Sequence, residues 1–246
     1  MIQAPLSKSP GASEENWTPP KEMFGSSPTN GPNPWTKPSS KSNTATPFCK
    51  ICFEPISDNR WCRFGAASSV CSRCQKEMKP KWHTGKIAGR RLYWLYFYND
   101  TIRSLLYQFK GCGDYELKDV FFAYQRAFLR AKFHSYVLVP APSYHERDEA
   151  RGFNHVAALF SCLGLPMMDC LIKTENIKQA DLHLEERKQI GRYIQLADGH
   201  HLRGKKLLLV DDLITSGSTI KACIKLLRKC RPKKIVVLTM GRTPRD

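Results

Sequence analysis

Along residues 101–240 the apolar positions fall either into short continuous runs or into i, i+3, i+4 series, which predict strands and helices in turn. Ile102, Leu105, Leu106 and Phe109 share one helix face that Gly111 and Gly113 bring to an end. Asp114 opens a second helix through Leu117, Val120, Phe121, Tyr124 and Phe128. Tyr136-Val137-Leu138-Val139 reads as a short strand running into Pro140-Ala141-Pro142-Ser143. Val156, Leu159, Phe160 and Leu163 mark another helix, closed by Gly164 with Pro166 beyond it. Leu207-Leu208-Leu209-Val210 has the continuous hydrophobicity of a strand buried on both faces. Ile220, Cys223, Ile224, Leu227 and Cys230 then predict a helix over 218–230, and 235–240 a further strand, together a βαβ unit of the usual right hand. The order predicts an open α/β sheet with its ligand at the carboxyl ends of the strands.

The joint between that strand and helix is chemically dense. Asp211 and Asp212 are followed by Leu213-Ile214 and then Thr215-Ser216-Gly217-Ser218-Thr219. The first amides of a helix have no intrahelical partner and sit at its positive dipole end, so they suit a phosphate. Gly217 allows close backbone approach, and Thr215, Ser216, Ser218 and Thr219 add hydroxyl donors. Two ionised carboxylates accept hydrogen bonds from a vicinal diol and suit a nearby Mg²⁺. Ribose 5-phosphate meets all of these demands at once. A nucleotidase reading would need a phosphate loop, but Gly199-His200-His201-Leu202-Arg203-Gly204-Lys205-Lys206 lacks the hydroxyl residue after its Lys and precedes a strand.

Residues 1–46 are rich in Pro, Ser, Asn, Thr and Gly, with Trp17, Phe24 and Trp35 isolated among them, and are expected to form a disordered tail. Residues 47–80 hold Cys49-Lys50-Ile51-Cys52 and Cys71-Ser72-Arg73-Cys74, the paired spacing of a structural zinc knuckle, with Cys62 and His83 as spare ligands. Residues 81–98 form a basic, aromatic connector strand, and 99–246 the α/β domain. The remaining cysteines fall in apolar segments, and neither a signal peptide nor a membrane-length apolar run is expected, so the reading is cytoplasmic.

Net charge is +17, of which the tail supplies only +1, and residues 47–110 alone carry +8. Such an excess favours polyanionic partners, nucleic acid first. Basic residues interleaved with rings make Arg90, Arg91, Trp94 and Tyr96 candidates for single-stranded DNA, charge tracking phosphates and rings stacking on bases. A buried strand beside a zinc knuckle is the competing reading of the same run.

The 207–219 run resembles the 5-phosphoribosyl-1-pyrophosphate (PRPP) signature of the type I phosphoribosyltransferases, in which paired acids precede Thr-Thr-Gly-x-Thr; Ser216 keeps the second hydroxyl. Tyr107-Gln108-Phe109-Lys110 leading to Gly113-Asp114, Val139-Pro140-Ala141-Pro142 leading to Arg147, Arg151-Gly152-Phe153-Asn154, and Gln179 with Leu184 and Arg187 narrow the resemblance. With the knuckle in front, the chain is similar to the competence protein F (ComF/ComFC) family over roughly residues 47–242. The resemblance implies a type I phosphoribosyltransferase-like open parallel sheet flanked by helices and preceded by a small zinc-ribbon or knuckle domain. It implies a role in natural transformation, handling incoming single-stranded DNA beside a helicase-like ATPase, ComFA, with peripheral association at the inner face of the membrane. An active amido- or base-type phosphoribosyltransferase is the alternative. By position, Asp211 and Asp212 hold the ribose hydroxyls, and Thr215, Ser216, Gly217, Ser218 and Thr219 the 5-phosphate, with Mg²⁺ accompanying PRPP. The turn at Pro142 and Ser143 corresponds to a pyrophosphate site, with Arg147, Arg151 and Arg187 as bidentate partners. His155 stands where the family has Gln, which introduces a group able to titrate near neutral pH.

Overall fold

The computed structural model describes residues 47–56, 69–173, 193–197 and 200–244. The tail with its three rings, Cys62, Gln179, Leu184 and Arg187 lie outside the described residues. In chain order the elements are α1 (Ser72–Met78), β1 (His83–Ile87), β2 (Arg90–Phe97), α2 (Asp100–Leu106), α3 (Arg126–Phe133), β3 (Val137–Pro140), α4 (His145–Arg151) and α5 (His155–Ser161). They continue as β4 (Leu171–Lys173), β5 (Ile194–Leu196), β6 (Lys206–Ile214), α6 (Ser218–Lys229) and β7 (Lys234–Arg242). Five strands form one sheet in the order β1-β2-β7-β6-β3, parallel throughout except for the antiparallel edge strand β1, while β4 and β5 pair separately.

The central strands are apolar without interruption because both faces of the sheet are covered. Leu208 and Val210 of β6 point into one core with Val236 and Leu238 of β7, against α2, α3 and α5. Leu207 and Leu209 point into the other with Ile235 and Val237, against Ile220, Cys223, Ile224 and Leu227 of α6. The i, i+3, i+4 series of α6 faces this second core, and Gly217, in the left-handed conformation at φ +73°, starts the helix. The knuckle belongs to the first core: Cys49, Ile56, Val70, Cys74 and Met78 are buried in the same cluster as Phe121 and Tyr96. Tyr124 Oη donates to the Val70 carbonyl at 2.7 Å, and Lys50 bridges Glu116 and Asp119 at 2.7 and 3.2 Å.

Three expectations are corrected. Residues 81–98 are a hairpin, not a single connecting strand; Ala88 and Gly89 form its two-residue turn with φ +46° and +73°, the pair of positive values that a tight hairpin requires. Its second strand pairs in parallel with β7 and lies inside the main sheet. Asp114 does not open a long helix; a 3₁₀ segment spans Tyr115–Asp119, and α3 starts only at Arg126. Between them Phe121 packs on Phe109 and the adjacent Phe122 on Phe160, both fully buried, a demand that one helical stripe cannot meet. Strand β6 continues to Ile214, so the paired acids stand on the strand itself. Among the described residues, no helix is long and apolar enough to cross a membrane.

Candidate functional site

A cleft of about 940 Å³ opens at the carboxyl ends of β3 and β6, lined by the 211–219 run, Pro142, Ser143, Arg147, Arg151 and His155, and by Lys110 and Tyr107. Parallel pairing of β3 with β6 through Pro140 and Val210 brings the two turns side by side. The hydroxyl loop closes tightly. Ser216 Oγ lies 3.0 Å from Ser218 Oγ and accepts from the Ser218 amide at 3.3 Å. A Cβ on Gly217 would stand 2.7 Å from Ile87 Cδ1, so that end methyl would have to shift, and the φ of +73° is what calls for glycine in the loop's path.

The two acids have different surroundings. Asp211 accepts the Asp212 amide at 2.9 Å; burial and then the Asp212 charge push its carboxyl up, to about 8. Asp212 is 6% exposed and ion-paired with Lys110, with His155 Nε2 at 3.5 Å. Burial disfavours the Asp212 charge, but the Lys110 ammonium and then the His155 ring outweigh it and hold this carboxyl well below the usual range. Lys110 sits in a π-helical turn, Tyr107–Gly111, that extends α2 into the cleft, and the Asp212 charge raises its ammonium against burial. The Lys110 carbonyl accepts from Arg151 Nε at 2.7 Å.

Asp148 organises the opposite wall. It accepts from Ser143 Oγ at 2.8 Å and Arg151 Nη1 at 3.0 Å, with His155 Nδ1 at 3.9 Å. His155 has been taken out of water, which lowers its affinity for a proton, yet the bonds to Asp148 and Asp212 overcome this and leave its pKa raised. Arg151 is therefore a strut that ties α4 to the Lys110 carbonyl and pairs with Asp148 within the helix, while Arg147 is exposed on the rim. Lys110 and Asp148 were not singled out from the sequence. Lys110 closes the Tyr107–Lys110 segment, a visible signal, whereas Asp148 has only its place one turn before Arg151.

The second candidate centre is the knuckle. One ligand atom from each of Cys49, Cys52, Cys71 and Cys74 lies within 4.8 Å of all the others, and Cys52 Sγ is 3.8 Å from Cys71 Sγ. Zinc–sulfur bonds of about 2.3 Å give a tetrahedral edge of about 3.8 Å, so this donor set fits zinc. The Cys71 amide donates to Cys49 Sγ at 3.3 Å, and the Cys74 amide to Cys71 Sγ at 3.5 Å, bonds that aim the sulfurs at a common point. His83 sits instead at the start of β1 with its ring stacked on Trp94.

The stacking role given to Trp94 and Tyr96 is corrected. They are 7% and 2% exposed, and the Tyr96 hydroxyl donates to the Phe121 carbonyl at 2.6 Å, because β2 is covered on both faces. Arg90 and Arg91 remain at the strand's start, half-buried and exposed respectively.

Residues 133–245 match the phosphoribosyl transferase domain family. Competence protein ComFC of Bacillus subtilis is 29% identical over 202 residues, covering 80% of this chain and 78% of that protein. Its namesake in Streptococcus pneumoniae is 28% identical over 196 residues, 79% of this chain and 86% of that one. A hypoxanthine phosphoribosyltransferase from Staphylococcus aureus superposes with a TM-score of 0.33 at 12% identity, over 58% of this chain and 65% of that chain.

Proposed function

We propose that this chain, which belongs to the competence protein F (ComF/ComFC) family of phosphoribosyltransferase-like proteins, binds PRPP and handles incoming single-stranded DNA in natural transformation. One observation carries the PRPP half: a carboxylate pair and a four-hydroxyl glycine turn meet at the end of β6, inside a cleft with cations on its walls. In this reading the Thr215–Thr219 turn takes the 5-phosphate and Asp211 accepts from the ribose diol. Pro142, Ser143 and Arg147 face the pyrophosphate, with Arg151 holding that wall in place. Asp212 acts mainly through Lys110, which neutralises it beside the sugar. Mg²⁺ would arrive with PRPP and offset the charge of its pyrophosphate, and beside Asp211 it would favour the ionised carboxylate, whose hard oxygens suit it.

The four cysteines hold structural zinc in this proposal, which also includes an ATPase partner of the ComFA kind and a position at the inner face of the membrane. The cleft extends past the loop to Arg103 and Tyr107, leaving room beside a sugar phosphate, and this favours active transfer to an acceptor as the second reading. Chemistry of that kind develops positive charge on the sugar, so placement and charge stabilisation would carry it. Calorimetric titration with PRPP and Mg²⁺ tests the first reading. The wild-type protein should bind, and Gly217→Ala, strained at positive φ and pressing on the Ile87 methyl, should bind more than tenfold more weakly while keeping its circular dichroism. No heat with the wild-type chain, or equal affinity in the variant, rejects it. Steady PRPP consumption with an acceptor would establish the second reading.

A further inference from the structure

The basic, aromatic character read into residues 81–98 reaches the surface at Arg91 and continues onto α3, away from the rings that the sequence pointed to. Arg91 Nη1 donates to Tyr93 Oη at 3.4 Å, and the Tyr93 ring stacks on Trp82 at 4.9 Å. Trp82 meets Phe128 of α3 edge-on at 5.4 Å, and Lys132 of α3 hangs 5.1–5.7 Å from the Tyr93, Phe128 and Trp82 rings. The band goes on through Phe133 to Tyr136, whose ring lies 5.8 Å from Lys206 Nζ. Phe128 is 52% exposed, and Arg91 and Lys132 are exposed. Among the described residues none of the three cations is ion-paired with a carboxylate. The segments that build this face lack acids altogether: residues 78–99 and 120–145 contain no Asp or Glu.

Cations spaced along a row of rings, with no acid among them, match a flexible polyanion that carries aromatic bases. We propose that single-stranded DNA lies along this band, its phosphates on Arg91, Lys132 and Lys206 and a base against Phe128 beside Trp82. An ordinary structural role accounts for the buried Tyr93 and Phe133, but it does not require a half-exposed Phe128 or the absence of every acid. Arg91 and Lys206 stand at the amino ends of β2 and β6, whereas the cleft stands at the carboxyl end of β6. The inference rests on the DNA half of the proposed function and is independent of PRPP.

The test is fluorescence anisotropy of a labelled oligothymidylate with the full chain in a salt series. Arg91→Gln with Lys132→Gln should weaken binding and reduce the log–log salt slope by about 0.7 per lost phosphate contact. Phe128→Ala should weaken binding by roughly five- to 150-fold with the slope unchanged. Thermal melting and PRPP titration of the same variants should match wild type, which separates a surface role from a fold defect. A folded Arg91/Lys132 double variant with wild-type affinity and slope overturns this surface while leaving DNA binding elsewhere. No binding by the wild-type chain at low salt overturns both the surface and the DNA half of the function, but not the PRPP half. Competition by polyglutamate that equals the oligonucleotide and ignores Phe128→Ala overturns it in favour of an acidic protein.

Discussion

Replacing either member of the Lys110–Asp212 pair tests whether the cleft is held together by its own charges. Asp212→Asn leaves the Lys110 ammonium facing a neutral amide, and Lys110→Met leaves a 6%-exposed carboxylate held by His155 and by the Leu213 amide at 2.6 Å. Breaking a fully buried pair costs about 3–5 kcal/mol, because the survivor keeps its desolvation penalty. Here the Lys110 side chain is 37% exposed and water recovers part of that penalty, so about 1–3 kcal/mol is expected. For a chain of this size that lowers Tm by about 2–12 °C. The Lys110→Met/Asp212→Asn double variant should recover about 1 kcal/mol or more relative to the sum of the singles, since neither side is then left charged. The pH dependence has a definite sign. The Asp212 carboxyl is held below its unfolded value, so its contribution is present above the ordinary carboxylate range and is lost as pH falls through its lower folded value. Wild-type Tm should therefore drop at acid pH, and Lys110→Met should lose much of that drop. Calorimetric melting of the four proteins across pH decides it. Single variants within about 1 °C of wild type, or losses that simply add, would refute the electrostatic account of this wall.

Two further expectations concern His155 and the knuckle. The raised His155 contributes stability that is full below its unfolded value near 6.5 and lost as pH rises through its higher folded value, so His155→Gln should flatten the fall in Tm above about pH 6.5. Asp211, raised to about 8, adds its own decline from the carboxylate range up to that value, which the variant retains; an unchanged slope in His155→Gln rejects the role given to the ring. Metal analysis should return one zinc per chain, and Cys71→Ser should lose it and lower the melting temperature of the whole fold, because Cys49, Cys74 and Met78 share a core with Phe121. Full zinc retained by a Cys49/Cys71 double variant defeats that assignment.

The sequence was most legible where structure is local. The strand at 207–210, the helix beginning at Ser218 and the Gly217 turn follow from consecutive residues whose spacing, capping and φ demands agree. The two Cys-x-x-Cys pairs were visible for the same reason, each being a short knuckle, and only their convergence needed the fold. Tertiary structure alone decided which rings are covered. Trp94 and Tyr96 look no different in sequence from Trp82 and Phe128, but β2 lies next to β7, about 145 residues later, and that pairing buries the first two. It also overrode the helical spacing after Asp114, since Phe121 and Phe122 answer to different neighbours. The role of Asp212 was decided in the same way. A doubled Asp announces acceptors, but the ammonium that neutralises one of them comes from Lys110, 102 residues away, and the histidine beside it from α5. Short-range pattern determines which groups a chain can offer. Long-range packing determines which of them are left facing solvent or a ligand, because desolvation and pairing depend on neighbours that sequence order does not bring together.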